Sequence, residues 1–369
     1  MTSKAYANAV DASAQQGGRR NLIINGAMQV AQRGTSFTFS NGNTPFVVDR
    51  FQASENGTPS FVFTVSQDTD APSNFKQSVK FDCTTAEPSL AVGARATLRH
   101  RVEAQDLQSL AYGTADAQDI TFSFWVKTNV TGTYTVWFYN EDGNRQTTNT
   151  FSISTQDTWE RKTVLISADT VGSINNDNGT GLQIEITLAA GTNYTTGTAL
   201  NGEWETGTTT ANRSVGQTAN LASSTSNYIN ITGVQLEVGS VATPFEHISY
   251  GESLAACQRY YEVIGNGADD TFASIGSAFY YTSSSMLFPL RFAVTKRTKT
   301  YTLDATSGAT YYSGYRAGGM DDFNSFSITR RRPQCCTLYN DTEISGTQGD
   351  GFEITLNSGS AFVAIDDEL

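Results

Sequence analysis

A hydrolytic centre in this chain would have to be built from carboxylates, because other catalytic combinations are thin. The only two histidines, His100 and His247, lie far apart and in no HExxH or related metal pattern. There is no GxSxG elbow and no phosphate-cradling glycine loop. His100, within TLRHRVE, reads as a strand residue satisfied by its neighbours; His247 precedes a helix and is a weak pH-sensor candidate. Glu203 and Glu205 flank Trp204 and have the composition of a glycosidase pair, yet they sit in a long polar loop. Acid–base chemistry needs carboxyls held within fractions of an ångström. The expectation is therefore no enzyme, no catalytic residue, no metal and no cofactor.

Sugar binding suits these residues better. Aromatic faces stack on the apolar faces of pyranose rings, while amides and guanidiniums satisfy the hydroxyls. Trp204 with Tyr194 in the loop, and Trp137 with Tyr139 on one strand face, are candidates, against the plainer readings of loop anchor and core. In TYYSGYRAGGMDDF, Tyr311, Tyr312, Tyr315 and Arg316 cluster among glycines, a composition suited to contact surfaces. Arg330, Arg331 and Arg332 could meet an acidic glycan, a neighbouring subunit or an intramolecular acid; in an acidic chain the last two are favoured.

The elements that must position these groups are strands. Only 16% of the 369 residues are charged, and the chain is rich in Thr, Ser, Asn, Phe and Tyr, with 32 glycines. A formal charge of −12 argues against a nucleic-acid partner. No apolar run is long enough to span a bilayer, so no membrane insertion is expected. MTSKAYANAV has no apolar core of a signal peptide. The seven N-x-[ST] sites then reflect composition, and the final DDEL a coincidence. Cys83, Cys257, Cys335 and Cys336 form no CxxC and read as reduced thiols of a protein assembled in a cytosol.

Residues 2–16 form a short Ala-rich segment, read as an attachment or oligomer-contact arm within 1–20. Over 21–248, short alternating runs such as FVFTVSQD, SVKFDCTT and GLQIEITLAAG mark strands. In TFSFWVK, Phe122, Phe124 and Val126 share one face, and EDGN at 141–144 signals a tight hairpin. A helical crossover is expected at 103–113, a functional or disordered loop at 191–227, and a strand covered on part of both faces at YINITGVQLEVGS. The architecture is an all-β antiparallel sandwich, plausibly a jelly roll. Ser249 and Glu252 make a capping box for a helical neck over 249–265, closed by Gly265. Its stripe Leu254, Cys257, Tyr261 and Ile264 has the spacing of a seam between three copies, or of a face packed on its own domain. Residues 266–369 read as a smaller β-domain.

RNLIINGAMQVAQRGTSFTF…VVDRF, ITFSFWVKTN…GTYTVWFYN and ITGVQLEVGSVATPFEHISYGESLAACQRYY resemble a family of tailed-phage tail fibre or head fibre proteins, over most of residues 19–261. The resemblance implies a carbohydrate-binding-module-like jelly roll, a helical neck, a C-terminal β-domain and a homotrimer. Its partners would be other virion proteins, through the N-terminal region, and a host-surface glycan. It would assemble in the host cytoplasm and reside in the virion. It brings no established catalytic set. LFPLRFAVTKRTKT departs from the usual run after the helix, which implies a tip with its own specificity. Alternatives are a capsid decoration without a specific receptor, and a glycan depolymerase.

Overall fold

The computed structural model describes residues 19–369, so the Ala-rich arm expected at 2–16 lies outside the described residues. The chain divides into two units, Met1–Ser249 and Tyr250–Leu369.

In the first unit, alternating aromatic and polar residues build two antiparallel sheets. The first sheet has the spatial order β1 (Ser36–Phe39), β4 (Val62–Asp68), β5 (Ser78–Thr85), β13 (Tyr228–Val238), β7 (Ile120–Thr128), β10 (Glu160–Ile166). The second runs β12 (Glu205–Thr206), β9 (Arg145–Ile153), β8 (Gly132–Asn140), β11 (Thr180–Ala190), β6 (Arg95–Glu103), β3 (Phe51–Asn56), β2 (Phe46–Val48). Phe63, Phe81, Phe122, Phe124 and Val126 from the first sheet share one core with Val136, Phe138, Phe151, Ile184 and Leu98 from the second. Each such phenylalanine, withdrawn from water, contributes up to about 3 kcal/mol. This is a jelly-roll sandwich. The EDGN hairpin joins β8 to β9, with Asn140 opposite Arg145, and a 3₁₀ turn over Ala104–Leu110 buries Leu107 and Leu110 as the expected crossover. Where partial cover of both faces was expected, β13 is buried on both faces over almost its whole length.

The motif strings near the two ends of this unit meet in space. Residues 20–35 form no strand; they are strapped to β13 where its register with β7 shifts between Thr232 and Gln235. The Leu22 N–H donates to Leu236 O (3.0 Å) and the Val234 N–H to Gly26 O (2.9 Å). Asn21 closes the gap through its amide, donating to Val234 O (3.1 Å) and accepting from the Leu236 N–H (3.0 Å). Gly26 is required by closeness: a Cβ there would come within 2.0 Å of Val234 O. Asn25 likewise donates to the carbonyls of Val30 and Asp49 (2.9 Å each). The strings that carry the resemblance thus build a closing seam.

In the second unit, a three-stranded sheet β14 (Tyr261–Asn266), β23 (Phe362–Asp366), β17 (Thr302–Ala305) shares a core with a seven-stranded one. The latter runs β19 (Gly319–Phe323), β18 (Tyr312–Arg316), β22 (Gly351–Leu356), β15 (Ser274–Thr282), β16 (Ser285–Arg291), β21 (Cys335–Asn340), β20 (Ser327–Arg332). The two short α-helices described are α1 (Thr192–Thr195) and α2 (Tyr250–Gln258).

The expected neck is corrected here. α2 starts just after Ser249 but stops at Gln258, and it packs on β14 of its own unit. Tyr261 and Ile264 lie on β14, where Tyr261 pairs with Asp366. The aromatic and β-branched run Tyr-Tyr-Glu-Val-Ile loses rotamer freedom in a helix and gains a sheet partner in β23. Gly265 is therefore a strand residue, close against Ile275. Cys257 and Tyr261 are buried within the chain, Ile264 packs on the core of the second unit, and the last two lie on β14, so the four residues form no helical seam.

Candidate functional site

The outward face of the second sheet of the first unit is polar and densely bonded. Register places Gln52, Arg99, Glu185, Trp137 and Thr148 in one row across β3, β6, β11, β8 and β9. The next row carries Arg101, Gln183, Tyr139, Gln146 and Glu205. Trp137 and Tyr139 do share a face, as alternation requires, but it is this outer face; Tyr134, Val136 and Phe138 fill the core.

Glu185 holds the array together. Its carboxylate pairs with Arg95 and, at 2.6 Å, with Arg99, while accepting from the Gln183 amide at 2.9 Å. Burial alone would push Glu185 up; the Arg95 and Arg99 guanidiniums outweigh it and hold the carboxyl down at about 2. Arg95 is 1% exposed and also donates to Ser214 Oγ (2.9 Å) and Thr187 Oγ1 (3.2 Å). Arg101 donates to Gln183 Oε1 (3.1 Å), so the amide is fixed from both ends. Burial lowers the Arg101 guanidinium below its ordinary value, and neighbouring Arg99 adds to the effect.

The 191–227 segment, expected to be a functional or disordered loop, is an ordered roof over part of this face. Tyr194, on α1, is buried beneath it with the Arg95 guanidinium 5.7 Å from its ring centre. Trp137 donates to Gln146 Oε1 (3.0 Å), and Gln146 Nε2 donates to Glu205 Oε1 (2.7 Å); Asn212 Nδ2 donates to the same Glu205 oxygen (2.6 Å). Tyr139 stacks on Trp137 at 5.3 Å, and the guanidiniums of Arg213 (4.8 Å) and Arg95 (5.6 Å) lie over the indole. Trp137 is 2% exposed, so it has no face left for a sugar. Trp204 is half-buried against the core, edge-on to Tyr112 (5.6 Å), and donates to Ser167 O (2.7 Å). It anchors its own loop. Glu203 accepts from Ser167 Oγ (2.7 Å) and Glu205 is tied to two amides, so the two carboxylates are engaged separately.

What stays accessible is the strip beyond the roof: Gln52, Arg99, Arg101 and Tyr139 are half-buried, with Gln183 between them. The Tyr139 hydroxyl, donating to exposed Asn144 at 3.0 Å, marks its open end. Gln52, Arg99, Arg101 and Gln183 are the members sequence reasoning missed. Their alternation in QASEN, TLRHRVE and GLQIEI is visible in the sequence, but nothing there says that the three strands lie side by side.

The remaining candidates lie in the second unit. Tyr312 is fully buried, with its hydroxyl on Phe362 O (2.8 Å), and Tyr311 packs beside the core, whereas Tyr315 is 56% exposed. Arg316 lies over the Tyr280 ring at 5.0 Å and donates to Ser345 O (3.1 Å). These four do not converge on one site. His100 is buried against Phe51 (4.7 Å); burial, then the Arg50 charge, push it well below the usual histidine value. His247 is exposed, against Phe75 (5.2 Å) and Phe245 (4.9 Å). All four cysteines are free thiols. No group of ligating side chains that could hold a metal occurs among the described residues, and no described helix is long and apolar enough to cross a membrane.

No protein-family model and no curated protein matches the sequence. Solved structures similar to the chain include the enzymatically active domain of tailspike protein 4 of bacteriophage CBA120, at 15% identity and a TM-score of 0.32, over 59% of this chain. The chain spans 21% of that tailspike chain. A CBM61 module bound to β-1,4-galactotriose aligns at 12% identity and TM-score 0.28, over 60% of this chain and 99% of the module. A CBM22 xylan-binding domain from Paenibacillus barcinonensis aligns at 14% and 0.27, over 55% and 98%. At these scores the likeness carries no weight for substrate or activity.

Proposed function

We propose that the chain is a homotrimeric fibre subunit of a tailed-phage virion whose first unit binds a host-surface glycan without cleaving it. The observation that carries the binding reading is the strip Gln52–Arg99–Arg101–Gln183–Tyr139. Its amides, guanidiniums and hydroxyl are fixed in place before any ligand arrives, by the buried Glu185 pairs and the roof. Such preorganisation lowers the entropy lost on binding, and convergent donors and acceptors match saccharide hydroxyls. Binding without cleavage suits the carboxylates: Glu185, buried and ionised down to about 2, is unsuited to donate a proton near neutral pH. The virion and the trimer rest on the motif strings; the helix stripe no longer supports a threefold seam.

The test is glycan-array screening followed by calorimetry on the best ligand. Arg101→Ala and Tyr139→Ala should each weaken binding about tenfold or more, roughly 1.4 kcal/mol, with unchanged melting. Binding indifferent to both variants would refute the site. Gel filtration with light scattering tests the trimer, a monomer at micromolar concentration counting against it. Blocking of phage adsorption by the purified chain tests the virion role.

A further inference from the structure

We infer that the second unit carries a separate site for an acidic, carboxylate-bearing oligosaccharide, gripped by Arg291 and Arg332 on the outward face of its seven-stranded sheet. The register makes this face explicit. Met286, Phe288, Leu290, Cys336 and Leu338 point into the core, so the residues alternating with them point outward. One outward row is Tyr339–Leu287–Phe279, the next Thr329–Thr337–Pro289, and the third Arg332–Cys335–Arg291. Phe279 and the two arginines are exposed, and Tyr339 is half-buried.

A backbone irregularity puts Arg332 there. Between the pairs Thr329–Thr337 and Arg332–Cys335, β20 advances three residues while β21 advances two. The extra residue is accommodated at Arg330, whose φ of 50° is left-handed, a conformation that costs a non-glycine side chain free energy. Without this bulge Arg332 would point toward the core; with it, Arg332 and Arg291 flank Cys335 from neighbouring strands, about 10 Å apart at the backbone. The turn is pinned from below. The buried Tyr301 hydroxyl accepts the Arg332 N–H (3.2 Å) and lies 2.9 Å from the carbonyls of Arg332 and Cys335, donating to one of them.

Charge names the ligand. Arg291, Arg330, Arg331 and Arg332 form no ion pair among the described residues, so of the two readings favoured for Arg330–Arg332, a neighbouring subunit or an intramolecular acid, the second is not what holds them. In a chain of net charge −12 this is a concentrated, unneutralised positive patch. Guanidiniums bind carboxylates bidentately, and the aromatic row lies roughly 13 Å away along the strands, farther than one pyranose ring reaches. A uronate-type oligomer fits both: a carboxylate on the arginine pair, a later ring on Phe279 and Tyr339. The inference draws on the glycan reading only in choosing a saccharide, and its site is distinct from the strip in the first unit.

The test uses the full chain and calorimetry with polygalacturonate, uncharged dextran and dextran sulfate. Polygalacturonate should bind, uncharged dextran should not compete, and Arg291→Gln with Arg332→Gln should weaken binding at least tenfold. Both side chains are exposed, so melting should not change. Tyr139→Ala should leave this binding intact, which separates its failure from that of the first site. Cys335, the half-buried thiol among otherwise buried ones, gives a second readout: bound polygalacturonate should slow its alkylation by iodoacetamide. Absent binding, or binding that survives the double variant, overturns the inference. So does equal affinity for dextran sulfate, which would be diffuse polyanion attraction. A homo-oligomer that dissociates in the double variant would assign these arginines to a subunit contact and overturn it as well.

Discussion

Replacing Glu185 by Gln keeps its shape and removes its charge, which tests the idea that a buried ion cluster holds the polar strip in place. Arg95, 1% exposed, would keep its positive charge in a dry site with only neutral acceptors around it. Breaking a buried pair from one side costs about 3–5 kcal/mol. The pH route gives a similar size. A carboxyl lowered from 4.5 to about 2 stabilises the fold by about 3 kcal/mol at neutral pH. The folded state stays ionised where the unfolded chain takes a proton. This contribution is therefore complete above about pH 4.5 and drains away as pH falls toward 2. All four tryptophans, Trp125, Trp137, Trp159 and Trp204, lie in the first unit, so their fluorescence during urea unfolding reports that unit alone. The expected result is a deficit of about 3 kcal/mol at pH 7 that narrows to about 1.4 kcal/mol at pH 3 and closes only toward pH 2. A deficit under about 1 kcal/mol, or one unchanged by acid, would refute the reasoning.

Two further perturbations probe other parts of the same unit. His100 is held neutral by burial, so the unfolded chain alone takes up its proton below about pH 6.5. Stability should then fall with decreasing pH by up to about 1.4 kcal/mol per unit, and urea titrations of His100→Leu between pH 7 and 5 should lose that slope. Gly26→Ala forces a methyl against the Val234 carbonyl and should cost about 1–3 kcal/mol by the same fluorescence assay. An unchanged midpoint would mean that the seam yields freely.

The strands were legible because a period of two survives in runs such as TFSFWVK, and the hairpin because Asp-Gly fixes its own turn. Parity alone could not say which face was which. In β8 both faces are buried, one by the core and one by the roof, so Trp137 and Tyr139 look like core residues in the sequence. The polar 191–227 segment reads as a functional surface or disordered loop because its apolar side chains, Tyr194, Trp204 and Leu221 among them, are few and scattered. It covers a polar face, where hydrogen bonds such as that from Asn212 to Glu205 act beside the burial of Tyr194, Leu221 and Ala222. The neck failed for a related reason: Leu254, Cys257, Tyr261 and Ile264 satisfy helical spacing, while the strand partner β23 that claims the last two lies about a hundred residues downstream. The bulge at Arg330 has no local signature at all, since arginine is not a residue that invites a left-handed backbone.

The seam at Asn21 also fixes how the first unit would carry a mechanical load. Arg20 donates to Pro244 O (2.6 Å) and the Asn21 N–H to Glu246 (2.7 Å), so the chain enters and leaves this unit at neighbouring points. Tension applied through the two ends would pass across those few bonds and bypass the stacked sheets. Built this way, the unit stands beside the line of pull like a bead on a loop of thread, and its polar face stays undeformed under load.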